Sequence, residues 1–548
     1  MKRFFFFVTA LVLSVQAGMS CTNFLVGKKA SADGSVFISY SADSYGMSGF
    51  VAHFPAAVHP EGAMRDIYEW DSGRYLGQIP EARVTYNVLG NINEHQVAIA
   101  ETTFGGREEL VDTTGVLDYG SMIYIALQRS RTAREAINVM TSLVAEYGYC
   151  SSGESFSIAD KNEAWILEMV GKGGKEKGAV WVAVRIPDDC ISAHANQARI
   201  RKFDMKDKEN VLYSKDVVKF ARKMGYFDGK DADFDFAAAY CPADFGGLRY
   251  CDARVWSFFN MFGEEDMTKY LDWAQGNPVA EPMPLYMKPK APVSLQDMQR
   301  GMRDHYEGTP FAIEGDLGAG PYNMPYRPSP LSFKVDGKEY FNERPISTFQ
   351  TAFTFVAQLR SWLPDEVGGI MWFGTDDANM VVFTPVYCCA TEVPDCYKEC
   401  YADPLEFSWK SSFWVFNWVA NMIYPKYSMV IDDMKSVQGA LESSIYSQSR
   451  EVEQEALAVI STSPKFAKRI LTDFTCNSAE TALSEWKKFG EKIIVKYNDF
   501  VVKSEKNGKL DRGTTGNGGR IVRPGYSSDY WKAVVEQTGD RYLMPASK

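Results

Sequence analysis

The hydrophobic and polar positions of this chain change period along its length. Near the start they come in short apolar runs. Cys21–Gly27 (CTNFLVG) reads as a strand, Lys29–Gly34 as a turn with Asp33-Gly34 at its tip, and Ser35–Tyr40 as the returning strand. Val51–Phe54 and Gln96–Thr102 read as further strands, with Asn87–Glu94 (NVLGNINE) a loop between them. The period then becomes helical. Ser121–Ser130 is one helix; Thr132 opens another, with Glu135 completing a T-x-x-E capping box and Ile137, Met140, Val144 and Tyr147 on one face. Ser155–Asp160 and Ala164–Val170 form a hairpin across Lys161-Asn162, and Ala179–Pro187 is another strand, followed by Cys190–Ile200. A helix begins at Ser294, with Leu295, Met298 and Met302 on one face; Phe333–Tyr340 is a hairpin turning at Asp336-Gly337. Phe353–Leu363, Gly368–Trp372 and Met380–Tyr387 are returning strands, with Trp362 and Trp372 expected in the core. Phe413–Tyr424 suits a buried or groove-lining helix. Tyr427–Ile460 is helical, and a second long helix is expected from Ser478, capped by Asn477, to Phe500. Asn507–Gly525 is Gly-rich, and a short helix is expected around Trp531–Thr538. Two helices set between runs of hairpin strands do not make a parallel β-α-β repeat. The pattern suits sheets packed on each other and covered by helices.

Composition narrows the function classes. The 548 residues are 45% hydrophobic and 24% charged, ordinary for a globular chain, with aromatics high at 14%. A net charge of −11 leaves no general basic surface for nucleic acid or anionic lipid. The first 20 residues read as a secretory leader: basic Lys2-Arg3, the 12-residue apolar run Phe4–Val15, then small residues at Gly18 and Ser20. The run is too short to span a bilayer, and no later stretch is long and apolar enough to do so. Ten cysteines in an exported chain imply that some pair. Cys241 and Cys251 flank a nine-residue loop, while Cys388, Cys389, Cys396 and Cys400 crowd together. The pairing is open. That crowded group lacks a CxxC knuckle and a nearby His, so disulfides or burial suit it better than a metal.

Cleavage after Ser20 would make Cys21 the N-terminus, with a thiol and a free α-amine on one residue. A free α-amine titrates near pKa ~8, against ~10.4 for a Lys amine. It can therefore act as base at neutral pH, a few bonds from the nucleophile it activates. Rival chemistries are missing from the sequence: there is no HExxH, no GxSxG elbow and no GxxxxGK[ST] loop, and the five histidines form no i, i+4 metal pair. The bland alternative for Cys21 is a lipoprotein anchor, but Gly18-Met19-Ser20 puts Gly where a lipobox wants Leu.

Several separated motifs carry a resemblance: CTNFLVGKKASADGS, NINEHQVAIAET, ISAHANQARI, ARVWSFFNMF, MRDHYEGTPF, RPISTFQTAFTFVAQLR and GGIMWFGTDDA. From Cys21 to about Pro425 the chain resembles the secreted cysteine dipeptidases, N-terminal-nucleophile hydrolases related more distantly to penicillin V acylases and bile salt hydrolases. The resemblance implies an α+β fold, a four-layer αββα sandwich, with a helical C-terminal extension. It divides the chain into a leader (1–20), a dipeptidase domain (21–426) and a helical C-terminal region with a Gly-rich loop (427–548). It implies Cys21 as nucleophile and Asp43 as the acid that bonds the terminal amine. Asn196 matches the oxyanion-hole amide, Asn93 the second oxyanion donor through its backbone N–H, and Arg254 the active-site Arg. One departure stands out. The wider superfamily carries an Arg three positions before the acid; here that residue is Tyr40. Cationic help for the thiol must then come from elsewhere.

The expected partner is a dipeptide, with no nucleic acid, no membrane span, and no metal or organic cofactor. Homo-oligomerisation is left open. The expected location is secreted or periplasmic. The competing classes are an acylase acting on an N-acyl or bile-salt-like amide by the same mechanism, and a non-catalytic, lipid-anchored binding protein.

Overall fold

The computed structural model describes residues 21–328, 331–511 and 521–545. The expected leader, 1–20, and part of the Gly-rich stretch lie outside them. Seventeen elements matter here: β1 (Asn23–Val26), β2 (Val36–Asp43), β3 (Ala98–Gly105), α1 (Tyr119–Arg129), α2 (Ala133–Tyr147), β4 (Gly153–Ala159), β5 (Ala164–Gly171), β6 (Ala179–Ile186), β7 (Ile191–His194), α3 (Ala253–Phe262), α4 (Leu295–Met302), β8 (Thr351–Leu359), β9 (Gly369–Thr375), β10 (Thr384–Tyr387), α5 (Ser412–Ile423), α6 (Tyr427–Val459) and α7 (Pro464–Tyr497).

Two antiparallel sheets dominate. The first runs Tyr286–Met287, β7, β1, β2, β8, β9, β10; the second runs Val211–Tyr213, β6, β5, β4, β3, then the short strands Ile92–Asn93, Val88–Leu89 and His53–Phe54. The chain is thus mixed α and β, with consecutive strands joined as hairpins. The expected β1–β2 hairpin is present, with Leu25 opposite Ile38. Its turn needs Gly34, whose φ of +88° disfavours any side chain, while Asp33 accepts the Ser35 N–H at 3.0 Å.

Both faces of each sheet are apolar. Leu25, Ile38 and Phe355 of the first sheet share a buried cluster with Ala98, Ile166 and Val182 of the second. On its other face the second sheet packs Ile99, Phe156 and Leu167 against Met122, Ile125 and Met140 of α1 and α2. The first sheet likewise packs Phe24, Val356 and Trp372 with Phe258, Met298, Phe416 and Trp486 of α3, α4, α5 and α7. Strands covered on both faces read as apolar runs, which is why β2 and β5 are buried throughout.

Caps fix where the helices start. Asp118 accepts N–H bonds from Gly120 and Ser121, and Thr132 accepts one from Glu135. In the expected box at α2, Glu135 reaches back one residue further, to the Arg131 N–H at 2.7 Å.

Four expectations are corrected. The last long helix begins at Pro464, not Ser478, so Asn477 is mid-helix and caps nothing. A Pro suits the first turn, and Ala467, Leu471 and Phe474 extend the buried stripe through it. Asn87–Glu94 is no plain loop, since Val88–Leu89 and Ile92–Asn93 pair as short strands. Trp362 is half-exposed, lying over Gly34 at the hairpin tip, whereas Trp372 is in the core. Finally, all ten cysteines are unpaired, and eight are buried among other side chains. No described helix is long and apolar enough to cross a membrane.

Trp486, fully buried and stacked on Phe416 with ring centres 5.1 Å apart, ties α7 to α5 under the first sheet. Trp486→Ala should therefore lose about 3–5 kcal/mol in urea unfolding. A loss below about 1 kcal/mol would contradict this packing.

Candidate active site

Cys21 sits at the mouth of the first strand pair, fully buried. The bridge Thr22–Ser41 continues the β1–β2 ladder one step past Asn23, so the segment carrying the thiol is held on a sheet. In the full-length chain the Cys21 nitrogen is a peptide amide and stands where a free α-amine would be after cleavage. The thiol lies 3.7 Å from Tyr40 Oη and 3.7 Å from Glu101 Oε1, close enough to donate weakly to either. Tyr40 Oη–H donates to the same Glu101 oxygen. Burial, then the charges of Glu101 and Asp43, push the thiol well above its ordinary pKa. It is neutral at physiological pH.

Two buried guanidiniums bracket this residue. Arg254, at the start of α3, donates to the Cys21 carbonyl at 2.6 Å and to Thr22 Oγ1 at 2.7 Å. It also donates to Asn196 Oδ1 at 3.0 Å. One side chain thereby joins the segment carrying Cys21 to the loop after β7. Arg344 donates to Asp43 Oδ2, with both side chains almost wholly out of solvent. Thr351 Oγ1 bonds Asp43 Oδ1 at 2.6 Å and Ser41 Oγ bonds Oδ2 at 3.2 Å. The ladder between β2 and β8 slips between Thr351 and Phe353, and this bulge turns Thr351 onto the carboxylate.

Asn196 has φ of +59°, a left-handed conformation that Asn tolerates better than most residues. Its amide donates to the Thr103 carbonyl at 2.7 Å. The loop is fixed from both sides. His194, just before it, is bonded at both ring nitrogens, by Thr102 and Ser157 at 2.7 Å each. Burial takes His194 down to about 3, so it is neutral and acts as a brace. Glu168 accepts the backbone N–H groups of Arg199 and Ile200 on the far side.

A cleft of about 750 Å³ opens beside this assembly, bordered by Ser44, Thr103, Asn196, Glu343, Arg344 and Thr348 among others. It is large enough for a small peptide. Asn196 and Arg344 both border it, and through Arg254 and Asp43 both are tied to the segment carrying Cys21.

Of the five residues expected at the site, the structure brings Cys21, Asp43, Asn196 and Arg254 into one network. Asn93 is not part of it. Its backbone N–H donates to Val97, and its side-chain amide donates to the Leu127 and Ser130 carbonyls at 2.7 and 2.8 Å. Asn93 thus closes a turn against the end of α1 and has no donor to spare for an oxyanion. The sequence reading missed Tyr40's contact role, Glu101, Arg344 and Thr351. A Glu inside the buried run of β3 was a readable signal, since a buried carboxyl needs a reason. Arg344 and Thr351 lie in RPISTFQTAF, but nothing in their spacing shows that they meet Asp43 some 300 residues earlier.

The sequence profile of Peptidase family C69 matches residues 20–440. The chain belongs to this peptidase family. Curated relatives agree in kind. A "Probable dipeptidase" of Salmonella dublin is 27% identical over 414 residues, covering 71% of this chain and 85% of that protein. A "Probable dipeptidase" of Latilactobacillus sakei is 25% identical, covering 80% and 89%. A "Probable dipeptidase A" of Streptococcus pyogenes is 25% identical, covering 85% and 96%. The family match begins one residue before Cys21 and takes in every residue of the network above.

For this peptidase the buried Asp43–Arg344 pair makes a sharp energetic prediction. Removing one partner strands the other charge in the core, so Arg344→Ala should lose about 3–5 kcal/mol in equilibrium unfolding. The double variant Asp43→Ala/Arg344→Ala should lose clearly less than the two single losses summed. Additive losses would contradict a direct pair.

Proposed function

We propose that the protein is an exported cysteine dipeptidase whose mature chain begins at Cys21. In this reading residues 1–20 are a signal peptide removed on export to the periplasm or beyond. The two sheets and their covering helices form the four-layer αββα sandwich of N-terminal-nucleophile hydrolases, here with residues 21–426 as the hydrolase domain and 427–548 as a helical extension. The substrate is a dipeptide, bound in the cleft beside Asn196 and Arg344. The observation that carries the reading is a wholly buried Cys21, in a chain of a peptidase family, whose carbonyl and neighbours are gripped by the two buried arginines.

The mechanism follows from the thiol's state. A neutral thiol needs a base, and the freed α-amine of Cys21 is the nearest one, with a pKa of about 7.7–8.0 in an ordinary setting. The amine takes the thiol proton and sulfur bonds to the amide carbonyl carbon. The carbonyl oxygen becomes an oxyanion, for which the Asn196 carboxamide at the cleft wall is the donor. As the C–N bond breaks, the α-ammonium returns its proton to the leaving amine, giving a thioester and a free amino acid. Water then adds with the amine again as base, and the second amino acid leaves as the thiol is restored. Asp43, held by Arg344, Thr351 and Ser41, gives the site a fixed negative charge. That charge favours the ammonium form created in the first step.

The resemblance expected an Arg where Tyr40 stands. Cationic groups are nevertheless at hand, because Arg254 and Arg344 approach from α3 and the 344–348 segment instead. Neither hydrogen-bonds the sulfur, so they fix geometry and pair carboxylates while the terminal amine does the proton transfer.

Cys21→Ala should leave the unfolding transition of the mature protein intact and cut dipeptide turnover by about 10³-fold or more. Turnover retained in that variant would overturn the reading. Asn196→Ala should lower kcat by about 10²–10³-fold with a smaller change in KM, read from steady-state rates on the same dipeptide.

A further inference from the structure

Behind the thiol lies a second feature that the mechanism above does not use. Glu101 on β3 and Glu154 on β4 are both buried carboxyls, 0% and 1% exposed. They lie beside Thr103, which stands opposite Glu154 in the ladder, donates to its Oε1 at 2.7 Å and borders the cleft. Glu101 Oε1 takes Tyr40 Oη–H and faces Cys21 Sγ at 3.7 Å. The remaining oxygen of each, Oε2, receives no hydrogen bond from any residue. Burial raises both, Glu101 to about 7 and Glu154 well above the carboxylate range, so Glu154 is the one that keeps the proton. Among the described residues no Lys or Arg forms an ion pair with either carboxyl. The backbone of Glu101 is fixed as well. In the orientation that satisfies both its ends, the Asn23 amide bonds the Glu101 N–H at 3.1 Å and its carbonyl at 3.2 Å.

Two buried carboxyls with vacant oxygens and no cation make a site for a cation. The position narrows which cation. In a dipeptide the α-nitrogen lies about 2.5 Å from the carbonyl carbon under attack, and sulfur approaches that carbon to about 3–3.5 Å. Whatever binds the substrate's α-ammonium must therefore be a near neighbour of Sγ. Asp43 already takes bonds from Arg344, Thr351 and Ser41, whereas Glu101 touches the sulfur and has an oxygen to spare. Tyr40 adds to this. An Arg at that position would repel an ammonium, while a phenol hydroxyl donates to Glu101 and adds no positive charge beside the sulfur.

We propose that Glu101, backed by Glu154 and oriented by Tyr40, binds the α-ammonium of the substrate and so restricts this enzyme to peptides with a free N-terminus. The inference rests on Cys21 as the nucleophile of a dipeptidase. It separates that activity from amide hydrolysis of N-acylated compounds at one wall of the site.

The test compares leucyl-alanine with N-acetyl-leucyl-alanine, which present the same scissile bond, on the mature wild-type enzyme and on Glu101→Gln. Wild type should favour the free dipeptide by at least about 100-fold in kcat/KM, the scale for a buried charge pair. Glu101→Gln should bring the two substrates within about tenfold in kcat/KM, the convergence coming from a raised KM for the free dipeptide. Equal wild-type rates on both substrates would overturn the proposal even if Glu101→Gln does not fold. So would a Glu101→Gln enzyme that slows both substrates alike through kcat, which would assign the carboxylate to the enzyme's own terminal amine. Dipeptide turnover that survives Cys21→Ala is a different failure: it removes the underlying reading of the nucleophile, and this inference with it.

Discussion

Arg254 holding the carbonyl of Cys21 is the contact on which the rest of the site depends. In the proposed mature form Cys21 is a chain terminus, the hardest kind of residue to position, because nothing on one side of it limits its motion. Here the strand pair limits it from below and a guanidinium limits it from the side. The same guanidinium bonds Asn196, so Cys21 and Asn196, the proposed nucleophile and oxyanion donor, are set relative to each other by one planar group. Such a group has donors in a fixed fork and cannot lose its charge, which suits a buried junction better than a Lys. The cost is the desolvation of a cation, visible as the lowering of Arg254 by burial and by the charge of Arg344. Backbone carbonyls and Thr22 offset it with five hydrogen-bond contacts in all, the Asn196 oxygen included.

The site is built from charges kept out of water, and their pairing shows how it is organised. Asp43 has Arg344, and Arg199 has Asp252. His194 is held neutral between two hydroxyls. The thiol is neutral too, because burial, and after it the negative charges of Glu101 and Asp43, disfavour a thiolate. In the proposed mechanism activation therefore falls to a free amine on the same residue, where the full-length chain has a peptide amide. In the full-length chain that nitrogen is a peptide amide, and the side chains hydrogen-bonded to the thiol are Tyr40 and Glu101.

Much of the frame was legible in the sequence. The β1–β2 hairpin, the cap at Thr132, the helix start at Ser294, and the helical stripe of Ile137, Met140 and Val144 follow from short-range rules. Cys21, Asp43, Asn196 and Arg254 came from motifs. What the sequence did not yield is long-range. Asp43 meets Arg344 and Thr351 through the pairing of β2 with β8, which no local pattern encodes. Asn93 went wrong because a Gly/Asn loop can supply either an oxyanion donor or a turn lock, and only the Leu127 and Ser130 carbonyls decide between them. The α7 start was misjudged because Asn477 looks like a cap, although Ala467 and Leu471 already continued the buried stripe upstream. The cysteines were misread through an expected compartment rather than through their packing.

The most direct test of the central claim is chemical. Purified, active enzyme is treated with iodoacetamide in portions, and at each point residual dipeptide hydrolysis is measured and the N-terminal peptide is identified by mass spectrometry. The account predicts a peptide that begins at Cys21, with loss of activity tracking carbamidomethylation of that one residue to completion. A peptide that begins elsewhere, or activity that disappears while Cys21 stays unmodified, would contradict it.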